Sequence, residues 1–542
     1  MMKWPSIREF LEIPSHLTGK DVNIAIIDGK FPTHPDIASN ERRNTYLVRT
    51  TNGLHAKPML LKAKEGVWKV ANHGLCTASA AGGSGSLSNG IYTGAAPDAN
   101  LYLLECGSLR TSEEVQGNIG EALFWLKQNW KKYNIRGAVL TIVGQIDTGL
   151  LPWQADPIRI LCEELIDDGL FIVSSSGNYR EVTSGSTVSP SMLNVGGVYI
   201  PFKNNIDNIL PFHGSRGLTF DGKWNPDVLA PAGNVMLPFP YKNEEEKRNH
   251  YTANEDNLPF PYARQWGTSF AGPVVLGFAA CLWQVNPDWD AKKMKMAIIN
   301  GTISHQNWKE LKAGLISVRS LKGETSGLQE ENSYSNWQRY KSKSENERLR
   351  ELEKNHNDYE ILISFFPEGV TEHAEDIIKN YLYHTSFKVR VAALLALSCN
   401  QNAVQKWEIE NYLMDSNPFV KMAGLFVLKK YESMWKHFTH TMADLINDGN
   451  SDIRYNATKL AISVKDKSLI EPLVDGMEED ARKMRIATFG NRCMALEVIT
   501  GYEIELDTEW REGEDPYSEG RMQTRLYMTR KWKEYVEEFY KD

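Results

Sequence analysis

The feature that most constrains the fold is a change of sequence pattern near residue 323 of this 542-residue chain. From Asp21 to about Gly323, short apolar runs rich in β-branched residues alternate with helical stretches, whereas strand patterns disappear beyond that point. Alternation of this kind specifies an α/β fold, with a mostly parallel sheet covered by helices on both faces. A chain this long exceeds what one hydrophobic core supports, so we expect more than one domain.

The first region contains several strand and helix signals that can be placed by residue. The strand runs are almost continuously apolar, which is typical of parallel strands buried on both faces. The clearest predicted strands are Val22–Ile27, Leu101–Glu105, Ala138–Val143 and Gly169–Ser174, and the clearest predicted helices are Asn118–Asn129 and Ile158–Asp167.

Composition and charge exclude several classes of function. The formal net charge of −8 provides no basic surface of the kind that phosphate recognition needs, so we expect no nucleic-acid partner. The first residues lack a secretory signal and no apolar run is long enough to span a membrane, so we expect a soluble protein that is not exported and has no membrane partner. The six scattered cysteines suit neither zinc nor a disulfide framework, and they predict reduced core thiols in a cytoplasmic protein.

The second region repeats a helical phrase. Val389, Val420 and Ile453 occupy equivalent places in three such phrases and are separated by 31 and 33 residues, within the range for arrays of helical hairpins. The phrases resemble HEAT repeats, which imply an extended surface for docking a substrate or a regulatory protein. A passive stabilising extension is the alternative. We assign residues 358–502 to HEAT-like repeats and residues 503–542 to a C-terminal capping segment. The charged stretch before them, residues 324–357, could be a linker or an exposed helix. Its sparse apolar residues favour a linker.

Three segments of the first region contain residue types suited to nucleophilic catalysis: Asp28 after an apolar strand, His73 before Gly74, and Ser269 before an apolar helix. Each also has an ordinary structural role, because carboxylates satisfy turn amides and serines cap helices. Their order along the chain, Asp, His, Ser, is one of the known orders of a serine-protease triad and differs from those of the chymotrypsin and α/β-hydrolase classes.

Together these segments resemble those of the subtilases. The resemblance covers residues 21–323 and leads us to assign 1–323 to a subtilisin-like peptidase domain. The stretches that resemble the family are Val22–Asp28 with His34–Asp36, Asn72–Gly74, Thr93–Tyr102, Ser215–Gly217 with Asn225–Pro231, Gly267–Pro273 and, in part, Ala313–Ile316.

The resemblance implies a serine endopeptidase. Ser269 would attack the peptide carbonyl, His73 would act as base and then acid, and Asp28 would orient the imidazole. The side-chain amide of Asn178 and the backbone N–H of Ser269 would hold the oxyanion. The resemblance implies substrate-binding residues at Glu105, Gly107, Val143, Gly144, Gln145, Ser175 and Gly177. No cofactor or metal is expected.

The sequence also departs from the family in ways that leave alternatives open. Gly29 follows Asp28 where the family usually has a hydroxyl residue, and Cys76 stands close after His73. The altered neighbourhood of Asp28 suggests an inactive scaffold that binds proteins as one alternative. A ligase or acyl transferase that uses the same acyl-enzyme with an amine acceptor is another alternative. Because the first strand starts close to Met1, we expect no pro-segment, and we hypothesise that loops or the repeats hold activity low until a partner or ligand releases it.

Overall fold

The structure is a computed structural model. It describes residues 4–540 except residues 54, 65–71, 108–111, 143–148, 184–187, 204, 240–261, 325–332, 401–402 and 506–514. Three predicted substrate-binding residues, Val143, Gly144 and Gln145, therefore lie outside the described residues.

The first region is built on one large sheet. Its strands, with two small hairpins, are β1 (Asn23–Asp28), β2 (Thr45–Arg49), β3 (Met59–Leu60), β4 (Asn100–Glu105), β5 (Ile135–Leu140), β6 (Phe171–Ser175), β7 (Leu193–Tyr199), β8 (Leu210–Pro211), β9 (Gly217–Leu218), β10 (Trp224–Asn225), β11 (Val228–Gly233), β12 (Val235–Pro238), β13 (Tyr262–Gln265) and β14 (Gly314–Leu315). The large sheet has the order β14-β11-β7-β6-β5-β1-β4-β2-β3 with β8 paired to β7, while β9 pairs with β10 and β12 with β13.

Strand β1 lies where the order of the sheet reverses. It pairs in parallel with β4 on one side and β5 on the other, and Asp28 is in register with Glu105. Open α/β sheets bind ligands beyond the carboxyl ends of the strands at such a reversal. The last residue of β1 is therefore placed where chemistry is expected.

Two helical layers cover the sheet. Alternate residues of β1 point to opposite faces, so that Ile24 and Ile26 join one core and Ala25 and Ile27 join the other. The first core includes the helices that carry the predicted histidine and serine. In the described part of the first region, the α-helices are Ile7–Phe10, Asn72–Gly82, Ser112–Asn129, Pro157–Asp167, Thr268–Val285 and Ala291–Asn300. The α/β fold with a mostly parallel sheet is confirmed.

One helix of the described residues, Thr268–Val285, is long and apolar enough to span a membrane by length and composition, and 83% of it is buried within the protein. All six cysteines are unpaired, and five of them are buried.

The second region is entirely helical in its described part apart from turns. Its α-helices are Ser333–Lys341, Glu345–Lys354, Tyr359–Ile363, Glu372–Lys379, Phe387–Leu397, Lys406–Leu413, Pro418–Lys430, Thr439–Ile446, Ser451–Val464, Ile470–Asp475, Met477–Arg482, Ile486–Thr500 and Glu519–Phe539. The three repeated phrases open the helices Phe387–Leu397, Pro418–Lys430 and Ser451–Val464.

The charged stretch 324–357 differs from the predicted linker, because it contains the helices Ser333–Lys341 and Glu345–Lys354. Its few apolar residues are spaced so that Trp337, Leu349 and Leu352 are buried in the core of the helical region. Sparse apolar residues at helical spacing were sufficient to bury one face.

The two regions share a core. Leu150, Trp153 and Phe220 of the first region are buried together with the apolar residues of the helical region. The Phe220 ring contacts Tyr359, Phe387 and Phe419 edge-on, with ring centroids 5.7, 5.9 and 6.0 Å away. The helical region is therefore packed against the sheet domain through an apolar interface.

Candidate active site

Asp28 ends β1 as a buried carboxylate surrounded by donors. Its Oδ1 accepts a hydrogen bond from Gly29 N at 2.7 Å, and its Oδ2 accepts from the hydroxyls of Thr77 and Thr141, each at 2.8 Å. Burial alone would raise the pKa of Asp28. The charge and hydrogen bond of His73, with the bonds from Thr77 and Gly29, outweigh burial and hold that pKa below its usual value. Asp28 is therefore held as an anion.

The structure pairs His73 with this anion. His73 is the second residue of the helix Asn72–Gly82, and its Nδ1 lies 2.8 Å from Asp28 Oδ2 and 3.0 Å from Oδ1. Because a carboxylate only accepts, Nδ1 carries the proton and Nε2 of the neutral ring is the basic nitrogen. The Asp28 charge raises the pKa of His73 despite the opposing effect of burial.

A close backbone approach fixes the start of this helix. A Cβ on Gly74 would lie 2.1 Å from the carbonyl oxygen of Lys30, so only glycine fits beside the turn that follows Asp28. The glycine next to His73 thus allows its helix to approach the end of β1 closely enough for the Nδ1 bond.

Ser269 lies at the start of the neighbouring helix, Thr268–Val285, and is half-buried. The next residue, Phe270, has its ring centroid 6.3 Å from that of His73. Gly267 precedes the helix with a φ of +144°, a conformation that side chains disfavour. The backbone N–H of Ser269 is one of the first-turn amides that have no partner within the helix.

Asn178 is held next to that amide. Its Oδ1 accepts hydrogen bonds from Thr268 N at 2.8 Å and Thr268 Oγ1 at 3.0 Å. Because a backbone N–H can only donate, this contact assigns the oxygen and leaves Nδ2 as the donor on the other side of the amide. The space in front of Gly267, where its Cβ would stand, is 3.8 Å from both Asn178 Nδ2 and Ser269 N. Two donors therefore border one small space, as an oxyanion site requires.

The predicted substrate-binding residues that the structure describes lie around this edge. Glu105 ends β4 beside Asp28, and the N–H of Gly107 donates to Gly29 O at 2.8 Å. Ser175 ends β6, and Gly177 takes a φ of +102° with its N–H donating to Thr268 Oγ1 at 3.1 Å. Pairing of these residues with a substrate stays a prediction.

Sequence reasoning missed three threonines. Thr77 and Thr141 supply the hydroxyls that were expected to be absent because Gly29 follows Asp28, and Thr268 orients Asn178. Thr77 lies one helical turn after His73, so helical spacing could have indicated that both side chains face Asp28. Thr141 directly follows β5, the strand next to β1, so its place at the end of a strand could have indicated that it lies near Asp28.

Cys76 is a packed thiol. It is buried with its Sγ 3.3 Å from Pro238 O, and burial raises its pKa far above the usual value. Such a thiol is unreactive. Within the described part of the chain, no three His, Cys, Asp or Glu side chains are grouped closely enough to hold a metal ion.

Comparison with known proteins bears on the same region. A family model described as the Subtilase family matches residues 19–334. Serine protease AprX of Bacillus subtilis is 27% identical over 323 residues, which cover 57% of this chain and 67% of AprX. Subtilisin Savinase of Lederbergia lenta is 25% identical over 306 residues, which cover 56% of this chain and 91% of Savinase.

Solved structures give a similar extent of match. Fervidolysin from Fervidobacterium pennivorans has a TM-score of 0.43 at 17% identity, covering 59% of this chain and 46% of fervidolysin. The prenylagaramide maturation protease PagA has a TM-score of 0.39 at 18% identity, covering 57% of this chain and 95% of PagA. The chain thus spans about two thirds of AprX and less than half of fervidolysin, and the family model ends before most of the helical region.

Proposed function

Because this chain belongs to the subtilase family, we propose that it is a serine endopeptidase that hydrolyses peptide bonds through an acyl-enzyme on Ser269. One observation carries the proposal. The buried Asp28 anion holds His73 by Nδ1, and Phe270, whose ring lies 6.3 Å from the His73 ring, borders the same small space as Asn178 Nδ2 and Ser269 N. An oriented base and a pair of oxyanion donors are two of the parts that acyl transfer to a serine requires.

In the first half-reaction, Ser269 Oγ attacks the peptide carbonyl carbon while His73 Nε2 takes its proton. The carbonyl oxygen becomes an oxyanion and accepts hydrogen bonds from Ser269 N and Asn178 Nδ2. His73 then gives the proton to the leaving amine, and the acyl-enzyme remains. Asp28 accepts the hydrogen bond from the Nδ1–H of His73 throughout, stays ionised and stabilises the imidazolium.

In the second half-reaction, His73 takes a proton from water, and the resulting hydroxide attacks the acyl carbon. The acid product leaves, and His73 returns the proton to Ser269 Oγ. The unpaired cysteines support a reducing, cytoplasmic location for this chemistry.

The helical region has a proposed role of its own, as HEAT-like repeats that recruit a protein substrate or a regulator. Its three repeated phrases open every second α-helix between Phe387 and Val464, and these helices are of similar length, as an array of helical hairpins would require. Two stacked and exposed aromatic rings on this region, Tyr383 and Trp407, are 57% and 54% exposed and support a protein-binding surface.

The test is cleavage of a defined pool of denatured proteins, followed by mass spectrometry of the new termini. The intact protein should generate termini that Ser269→Ala does not, with both variants showing the same thermal unfolding temperature. Equal products from both variants would contradict the proposal. Absence of products from either, with candidate partners also added, would favour the scaffold alternative, and joined peptides in place of cleaved ones would favour the ligase.

A further inference from the structure

Asn178 belongs to a loop, residues 176–183, that we call the Asn178 loop. Within the first region, Gly177 O accepts from Ser215 N at 2.9 Å, and the Ser215 hydroxyl contacts both Tyr179 N and Tyr179 O, at 3.3 and 3.0 Å. These bonds fix the two residues on either side of Asn178.

The helical region holds the second half of the same loop. Arg180 Nη2 donates to Lys483 O at 2.8 Å, and Glu181 Oε1 accepts from Ala487 N at 2.7 Å, at the start of the helix Ile486–Thr500. Thr183 donates from its N–H and its hydroxyl to the two oxygens of buried Asp452, each at 2.9 Å. The loop that carries the amide donor is therefore bound along its length by side chains and backbone from far along the sequence.

One residue of the capping segment reaches Asn178 itself. The Tyr517 hydroxyl donates to Asn178 O at 3.3 Å and accepts from Arg180 N at 3.3 Å, so it bridges the residues on both sides of Tyr179. Its ring lies 3.9 Å from the ring of His213, whose Nδ1 donates to the same Asn178 carbonyl at 3.1 Å. The Arg180 guanidinium lies over the Tyr517 ring, 5.1 Å from its centroid.

We propose that Tyr517 is a positioning residue for catalysis, and that it fixes the backbone of Asn178 so that Nδ2 faces the space in front of Gly267. This inference rests on the proposed function. Its physical basis is that a preorganised donor stabilises the transition state only if it does not have to reorganise during the reaction. Asn178 Oδ1 is fixed by Thr268 and its carbonyl by Tyr517 and His213, so the residue is held at both ends. Tyr517 of the capping segment is 339 residues from Asn178 along the sequence, and the capping segment thus contributes to the site of the first region.

The experiment uses the full chain with Tyr517→Phe, which keeps the ring on His213 and removes only the bridging hydroxyl. We expect kcat to fall about fivefold with KM nearly unchanged, since the lost bond acts on a donor used in the transition state. In an Asn178→Ala background, Tyr517→Phe should have no further effect on kcat. Tyr412→Phe is the matched control, because the buried Tyr412 hydroxyl donates to Leu382 O and Arg390 O within the helical region. It should leave kcat unchanged.

Hydrogen–deuterium exchange supplies a readout that does not depend on activity. Peptides that cover residues 176–183 should exchange faster in Tyr517→Phe than in the intact protein and in Tyr412→Phe. An unchanged exchange rate, or a loss of kcat that is equally large in the Asn178→Ala background, would overturn the inference. If the intact protein shows no turnover but exchange rises as expected, the peptidase proposal fails while the positioning of Asn178 by Tyr517 stands.

Discussion

The hydroxyl of Thr77 donates a 2.8 Å hydrogen bond to Asp28 Oδ2, the oxygen that also binds His73 Nδ1. Thr77 and His73 are one turn apart on the same helix, so a single helical face presents both donors to the carboxylate. Thr141, beyond the end of β5, donates to the same oxygen from the sheet. The acid of the proposed triad is thus oriented from two layers of the fold.

Replacing this hydroxyl tests its contribution. Thr77→Val keeps the shape of the side chain and should lower kcat roughly tenfold, because a hydrogen bond to a charged group is lost and the carboxylate is held less firmly. Steady-state kinetics on a peptide substrate provides the measurement. Thr45→Val, an isosteric change at another buried threonine on β2, is the control and should leave kcat unchanged. Equal kcat for Thr77→Val and the intact protein would show that the hydrogen bond from Thr77 to Asp28 does not contribute to turnover.

Asn178→Ala should lower kcat by about 100- to 1,000-fold with little change in KM, since the amide donates to charge that develops in the transition state. Asn380→Ala, which removes an amide bonded to Asp376 O on the helical region, is the matched control. A rise in KM at constant kcat would instead indicate that Asn178 binds the substrate's ground state.

The activity should fall at low pH as His73 becomes protonated. The Asp28 charge raises the pKa of His73 above its ordinary value of 6.5, and only the neutral ring accepts the serine proton. The acid limb of kcat/KM should therefore have its midpoint above pH 6.5. An NMR titration of His73 in the Ser269→Ala variant should also have its midpoint above pH 6.5. Adding Asp28→Asn to that variant should lower the midpoint. A midpoint at or below 6.5 in the intact protein would refute this electrostatic account.

The protein's stability should depend on pH because of Asp452, a buried carboxyl group at the interface between the two regions. Burial raises its pKa from 3.8 to about 6, although its bonds to Thr183 oppose the shift. The folded state then holds the proton more tightly than the unfolded state, so the free energy of unfolding should decrease as pH rises from about 4 to 6 and stay level above.

Asp452→Asn removes the buried charge while keeping an acceptor for Thr183 N. It should raise the free energy of unfolding by about 2 kcal/mol at pH 8 and by much less at pH 4.5, measured by urea unfolding. Asp444→Asn, an exposed carboxylate on the helix Thr439–Ile446, should change it by less than about 0.5 kcal/mol at either pH. A loss of stability at pH 8 would show that the charged form of Asp452 is favoured instead.

The parts of the site that were predicted from sequence are those with local signals. Asp28 follows a continuous apolar strand, and the observed β1 ends on it. Parallel strands buried on both faces carry a strong pattern, so the predicted strands at Leu101–Glu105 and Gly169–Ser174 agree with β4 and β6 to within two residues. The prediction of α/β structure followed by helices required no long-range information.

The parts that were missed depend on contacts between distant residues. Thr141 and Asp28 are 113 residues apart, and nothing near either residue signals their hydrogen bond. Tyr517 reaches Asn178 only because the helical region folds back onto the sheet domain. The stretch 324–357 was favoured as a linker because its composition is polar, yet Trp337 packs 5.4 Å from Trp153 of the first region. Composition does not record such partners.

The most direct test of the central claim is labelling with a fluorophosphonate probe, followed by mass spectrometry of the intact protein and of its peptides. The account predicts one adduct, on Ser269, formed at a rate that Asp28→Asn lowers strongly because the imidazole loses its orienting partner. Ser269→Ala should not be labelled. An adduct on a different residue, or equal labelling of Ser269→Ala, would contradict the assignment of Ser269 as the nucleophile of this chain.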